Sequence, residues 1–251
     1  MTYCVGMMLD RGLVLMSDTR TNSGVDNISV FRKMHSWCVP GERVVAVMTA
    51  GNLATTQAVV SKLEERNKAP DDRLNTLLEA DTMFQVASIV GKLLRHTIQD
   101  VRKNNGQRAE STFNASIIVA GQIRDMEPRL FLIYPEGNFI EASFDTPFFQ
   151  IGETKYGRPI LLRGYDQGMS FEEAVKLLMV SFDSTLKANL SVGLPLDMLV
   201  IPRDSFVPLY DRRIEKDDPY FRSISNGWGE ALKQAFHALP DFSFDPPSVD
   251  T

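Results

Sequence analysis

Cysteine is scarce in this chain: only Cys4 and Cys38 occur in 251 residues. Two thiols cannot build a disulfide framework, and their spacing is not that of a metal-ligand set, so a reducing cytosol is the expected setting. Histidine is nearly as rare. His35, His96 and His237 lie far apart, and no His/Cys/Asp cluster has zinc-like spacing, so each is expected to be structural or on the surface, and no metal is implied. Long apolar runs are missing too. The longest candidate, residues 44–50, is of strand length, far short of the roughly 18 apolar residues a membrane span needs, so a soluble chain with no membrane partner is expected. There is no basic cluster: 27 Lys and Arg stand against 32 Asp and Glu for a formal charge of −5, which argues against nucleic acid as a partner. The opening MTYCVGMMLDRG has no basic leader followed by a long apolar region, so no secretory signal is expected and the cytoplasm is the natural location.

What is present is ordinary globular material, 43% hydrophobic and 24% charged, enough for one large domain over residues 1–251. No internal repeat, low-complexity tract or dividing linker interrupts it. Two strand-length apolar runs hinge at Asp10-Arg11-Gly12, and residues 19–27 are loop-like. Residues 28–38 alternate loosely, with a break at Arg32-Lys33, and residues 43–48 form a continuous run of the kind buried on both faces. A helix with a stripe of Leu53, Val59, Val60 and Leu63 follows. Then come a connection at 70–74, a long helical pattern over 82–103 and a polar loop to Ser111. Four strand-like runs come next, at 115–120, 129–134, 138–143 and 148–151. Ser170-Phe171-Glu172-Glu173 resembles a capped helix start. A strand is expected at 196–201, another at 206–210, and a last helix over 224–239 with Trp228, Leu232, Ala235 and Phe236 on one side, facing either the parent domain or a neighbouring subunit. Residues 241–251, with Pro246-Pro247, read as a flexible tail. Strands in two groups with long helices between and after them predict layered α/β packing, strand faces meeting and helices outside.

The chemistry concentrates in residues 2–33. A threonine hydroxyl needs a neighbouring base to become a nucleophile. If Met1 is removed, Thr2 carries its own base, because an α-amine has an unperturbed pKa of about 7.7–8, close to neutral duty. A lysine nearby favours the deprotonated amine and hydroxyl, and a carboxylate is needed to hold it. Thr2, Lys33 and Asp18 supply those three parts, and the β-branch of threonine limits χ1 and so the direction of Oγ. Taken singly, Thr2 reads as an edge-strand residue, Asp18 as a turn cap, Lys33 as a solvated side chain and Gly51 as a breaker between strand and helix.

Their joint order carries a resemblance. Thr2, the segment Ser17-Asp18-Thr19-Arg20, Lys33, the strand ending Ala50-Gly51 and the helix start Met169-Ser170-Phe171-Glu172-Glu173-Ala174 together resemble a proteasome-type β subunit over about residues 2–201. The strings TNSGVDNISVFRKM, FQIGETKYGRPILLR, NLSVGLP and DDPYFRSISNGWGEAL resemble the bacterial Anbu branch, the ancestral β subunits, more closely. The bacterial two-ring peptidase that works with an unfoldase ATPase is a poorer match. The resemblance implies the N-terminal nucleophile hydrolase fold, a four-layer αββα sandwich of α/β (α+β) class. It implies Thr2 as nucleophile and amine base, Lys33 as the group that tunes pKa values, Asp18 as its holder and the Gly51 N–H as the oxyanion donor. It also implies Arg20 beside the site, no cofactor, and a homo-oligomer in the form of a ring or helical assembly, with any ATPase partner open.

The chain departs from the proteasome pattern where protons are handled. Gly152-Glu153-Thr154 stands in place of Gly-Ser-Gly, and Asn189-Leu190-Ser191-Val192 in place of Asp-x-x-Ser. Glu153 could accept from the terminal ammonium, whereas Asn189 is neutral and Val192 cannot hydrogen-bond. Three functions are therefore open: a threonine-type hydrolase of peptide or amide bonds, an assembly protein of the same fold with little turnover, and a small-molecule amidase.

Overall fold

In the computed structural model, residues 1–22, 28–68, 76–105 and 113–244 are described. The opening runs form a hairpin, β1 (Tyr3–Leu9) and β2 (Gly12–Asp18), whose register sets Cys4 opposite Ser17 and Leu9 opposite Gly12. Gly12 has φ +140°, and a Cβ there would lie 2.2 Å from the Ile201 carbonyl oxygen, so the tight turn admits no side chain. After β2 come the short strands β3 (Arg20–Asn22) and β4 (Ile28–Val30), which pair with each other, then β5 (Met34–Val39) and β6 (Arg43–Gly51). The helices α1 (Leu53–Lys68) and α2 (Met83–Asn105) follow, then β7 (Ala115–Ile123), β8 (Arg129–Ile133), β9 (Phe139–Glu141) and β10 (Phe148–Gly152). The chain goes on through α3 (Arg158–Gly164), α4 (Phe171–Ala188), β11 (Leu196–Pro202), β12 (Tyr210–Ile214) and α5 (Pro219–His237).

Two five-stranded antiparallel sheets result, in the orders β10-β1-β2-β11-β12 and β5-β6-β7-β8-β9. The alternation of side chains along a strand explains the layers. On β2, Leu13 and Leu15 enter the apolar layer between the sheets, while Val14 and Met16 enter the layer under α4. On β7, Ile118 and Ala120 face the inter-sheet layer, and Ile117 and Val119 face α1 and α2. Three apolar layers thus separate helices, sheet, sheet and helices, the αββα sandwich of the N-terminal nucleophile hydrolase type. The inner strands are buried on both faces, which is why β2 and β6 are apolar without alternation. The stripe on α2 packs Met83, Val86, Val90, Leu94 and Ile98 onto the second sheet. At α4 the capping box is complete: Ser170 Oγ accepts from the Glu173 N–H at 3.1 Å, and the Glu173 carboxylate accepts from the Ser170 N–H at 2.9 Å.

Several expectations are corrected. The strand expected at 206–210 lies at Tyr210–Ile214, because Asp204 and Phe206 take positive φ and turn the chain there. Part of the expected loop 19–27 is strand β3; residues 23–27 lie outside the described residues, as do the connection at 70–74 and the loop at 106–111. The fourth run of the second strand group leaves that group, and as β10 it pairs with β1, Tyr3 opposite Gly152. The last helix begins at Pro219, earlier than expected, because Asp218 caps it by accepting from the Phe221 N–H at 2.9 Å and proline fits the first turn. Of the expected tail, residues 241–244 are exposed and irregular, and 245–251 lie outside the described residues.

Candidate active site

The β10–β1 pairing brings the chain start to one end of the inter-sheet layer. Thr2 is buried there, and its carbonyl oxygen accepts from the Glu153 N–H at 2.6 Å. That bond depends on Gly152, which has φ +83° and where a Cβ would sit 2.1 Å from the Thr2 oxygen. On the other side the Tyr3 N–H donates to Asp18 Oδ1 at 2.9 Å. The Tyr3 ring runs into the helix-side core, against Phe182 at 4.4 Å between centroids, and its hydroxyl bonds Ser181 Oγ at 2.7 Å and Gln150 Nε2 at 2.8 Å. Burial pushes that phenol up to about 12, so it is an anchor rather than an acid. Both backbone bonds are made by the one peptide group between Thr2 and Tyr3, which is thereby pinned at its carbonyl and at its N–H.

Asp18 ends β2, and Lys33 immediately precedes β5. Lys33 Nζ donates to Asp18 Oδ1 at 2.8 Å and to the Arg20 carbonyl at 2.6 Å, with both side chains almost fully buried. One carboxylate oxygen therefore serves the ammonium and the amide next to Thr2. Burial raises the Asp18 carboxyl above its ordinary range, opposed by the charge and hydrogen bond of Lys33. The free amine belongs to Met1 here, and the Thr2 nitrogen is an amide. The Met1 amine is nonetheless held below its ordinary value, by burial first and by the Lys33 charge second, against a smaller opposing pull from Asp18.

Gly51 closes β6 at φ +116°, where a Cβ would meet the Asn114 carbonyl oxygen at 2.4 Å, so the strand end admits only glycine. Thr2, Lys33 and Gly51 line a single cleft of about 910 Å³. The structure brings these three together with Asp18 behind them. Arg20 is placed differently. Its guanidinium donates to the Leu190 carbonyl at 2.9 Å and packs on Gly193, bracing the 189–195 loop, so its carbonyl rather than its side chain reaches Lys33. Glu153 and Asn189 meet each other: Asn189 Nδ2 donates to one Glu153 oxygen at 3.0 Å, and the Lys155 N–H donates to the other at 2.8 Å. Asn189 Nδ2 also lies 3.9 Å from the Met1 sulfur, and Val192 is buried in the core under α4.

Sequence reasoning missed the cleft walls. Arg32 and His35 line one side, and the α1 face of Leu53, Gln57, Val60 and Glu64 the other. The signal was available in the i, i+4, i+7, i+11 spacing of that face, although nothing local says that a cleft rather than solvent lies against it. His35 is held below its ordinary pKa by burial, against the opposing charge of Glu64, and is therefore neutral at pH 7. Among the described residues no cluster of His, Cys, Asp or Glu is arranged to hold a metal ion, and no helix is long and apolar enough to cross a membrane.

A family model described as proteasome subunit matches residues 2–201. The proteasome subunit beta of Methanopyrus kandleri is 23% identical over 220 residues, 86% of this chain and 94% of that protein. Among solved structures, Anbu (ancestral beta-subunit) from Yersinia bercovieri is 46% identical with a TM-score of 0.90, covering 97% of this chain and all of that one. Anbu from Hyphomicrobium sp. strain MC1 is 49% identical with a TM-score of 0.87, covering 96% and 100%. The helical assembly of the Anbu complex from Pseudomonas aeruginosa has a subunit 42% identical to this chain, with a TM-score of 0.88 and full coverage of both.

Proposed function

Because the chain belongs to the proteasome subunit family, in its Anbu branch, we propose that it is an N-terminal threonine hydrolase of peptide or amide bonds. The single observation that carries this reading is the shared carboxylate oxygen: Asp18 Oδ1 takes Lys33 Nζ at 2.8 Å and the amide beside Thr2 at 2.9 Å, behind a cleft that Thr2 lines. Removal of Met1 frees the Thr2 amine. Thr2 Oγ attacks the substrate carbonyl, the amine takes the hydroxyl proton and passes it to the leaving amine, and water then releases the acyl-enzyme. The Gly51 N–H steadies the oxyanion. Lys33 stays charged and favours the unprotonated amine, and Asp18 holds it in place. The exposed, free Cys38 thiol supports a reducing, cytosolic setting. The helical assembly of the Pseudomonas aeruginosa relative supports a self-assembling chain, as a ring or helix.

Intact mass and covalent labelling test the hydrolase reading. Protein purified from its own cytosol lacks Met1, and an epoxyketone forms the two-point adduct that needs both hydroxyl and free amine. Thr2→Ala abolishes the adduct while leaving assembly unchanged. Full retention of Met1, or unchanged labelling of Thr2→Ala, overturns the assignment. A second reading, an assembly protein with little turnover, is favoured by one contact. The Glu153 carboxylate beside the chain start is already engaged by Asn189 and the Lys155 N–H, which competes with any bond to the amine. Adduct formation without peptide turnover would select it.

A further inference from the structure

The wall of the Thr2 cleft changes character with distance from the chain start. On the helix side, Leu53 follows Gly51 by two residues, and Val60 and Glu64 stand about two and three turns further along the same face of α1. On the strand side, Lys33 and His35 are alternate residues, so both side chains point into the cleft, about 6.6 Å apart along the chain. The two walls converge at their far ends. Among the charges acting on His35, that of Glu64 is the largest.

Glu64 is a half-buried carboxylate that has, among the described residues, no hydrogen bond and no ion pair. The cations near it do not cancel it. Lys33 is matched by Asp18 at 2.8 Å. Arg32 is mostly exposed and faces Asp197 at 3.9 Å, and at His35 its charge counts for less than that of Glu64. The floor between Thr2 and Glu64 is apolar, with Phe31, Leu53 and Val60 along it. An apolar stem that ends in a negative charge fits a side chain of the opposite design, methylenes leading to a cation.

We propose that Glu64 selects lysine or arginine as the residue on the acyl side of the bond that Thr2 attacks, with His35 beside it as a second hydrogen-bond acceptor. The methylenes of such a residue cover Leu53 and Val60, and its cationic head reaches the Glu64 carboxylate. A neutral imidazole carries one acceptor nitrogen, so His35 takes a further N–H from the same head. An apolar side chain of equal length leaves the carboxylate half-desolvated and without a partner, and an acidic one is repelled. The proposal names the substrate class of the Thr2 site and rests on the hydrolase reading of it.

The test uses the full, assembled chain, first without chemistry and then with it. Calorimetric titration of Thr2→Ala with N-acetyl dipeptide amides ending in arginine, norleucine or glutamate reads the subsite alone. Arginine binds at least about tenfold more tightly than norleucine, the low end of what a charge-assisted hydrogen bond supplies, and glutamate binds more weakly than either. Adding Glu64→Gln brings the ratio of arginine to norleucine to about one, and Glu64→Lys inverts the order in favour of glutamate. Adding Glu65→Gln, exposed and off the cleft, leaves the ratio unchanged. Binding that does not favour arginine, absent binding included, overturns the proposal, as does a preference that survives Glu64→Gln. A preference for glutamate that Arg32→Gln abolishes assigns this end of the cleft to Arg32 instead. Epoxyketones bearing the same three side chains are then applied to the processed wild type, and their labelling rates follow the order of binding. Arginine-selective binding with no labelling by any of the three upholds the subsite and removes the hydrolase reading, so the two failures are separate.

Discussion

Lys33→Met isolates the ion pair behind Thr2. The wild-type ammonium lies 2.8 Å from Asp18 Oδ1, and the Asp18 side chain is fully buried. Removing one partner of a buried pair leaves an uncompensated charge and costs about 3–5 kcal/mol. The Tyr3 N–H still donates to the same oxygen at 2.9 Å, which points to the low end, about 3 kcal/mol. That is a large part of the about 5–15 kcal/mol that holds a typical domain folded. Asp18→Asn/Lys33→Met removes both charges and keeps an acceptor for the Tyr3 N–H, so it is less destabilised than Lys33→Met alone, by roughly 1–2 kcal/mol. Urea denaturation at one fixed protein concentration reads both, because assembly shifts apparent stability by mass action. The pH dependence has a definite sign. With its cation gone, Asp18 in the folded variant titrates above the about 3.9 of the unfolded chain. It then binds a proton more readily when folded, so the deficit of Lys33→Met shrinks as pH falls towards about 4 and is largest above the raised folded value. A cost below about 1 kcal/mol, or a double variant as unstable as the sum of the singles, would refute the reasoning.

Gly152→Ala forces a side chain onto φ +83° and against the Thr2 carbonyl at 2.1 Å, so it breaks the Glu153 N–H bond and costs about 2–4 kcal/mol together with labelling at Thr2. Gly227→Ala, in open space on α5, is neutral or stabilising by up to about 1 kcal/mol; thermal melts of the two variants that coincide would contradict both. The labelling rate of the processed protein rises with pH through an acid limb below the about 7.7–8.0 of an ordinary terminal amine, because burial and Lys33 act on the chain start; a limb at 8 or above would count against the amine as base. Asn189→Asp sets a second carboxylate at hydrogen-bond distance from Glu153, so one of the two holds its proton to a higher pH. The variant is therefore less stable than the wild type at pH 7 and recovers on acidification, and a pH-independent difference would exclude direct contact between the two groups.

Chemistry showed that Thr2, Asp18 and Lys33 could act together, since an activated hydroxyl needs a base, a cation and an anion, and it was the resemblance to proteasome-type β subunits that singled them out. The apolar runs without alternation announced strands covered on both faces, and Ser170 with Glu173 announced the start of α4. Gly51 could be recognised as a strand end, although the reason it must be glycine, the Asn114 carbonyl 2.4 Å from any Cβ, is a contact across a strand pair. Other parts of the site were not legible, because each depends on contacts between segments from 36 to 170 residues apart in the chain. Gly152 and Glu153 hold Thr2 only because β10 crosses from the second strand group to pair with β1. Arg20 turned away to brace Leu190 and Gly193, and Glu153 found Asn189, through loops whose sequences carry no period. The face of α1 that walls the cleft and the stripe of α2 in the core are both patterned helix surfaces. Periodicity shows that a helix has a face, whereas the packing of whole layers decides whether that face meets core or cleft.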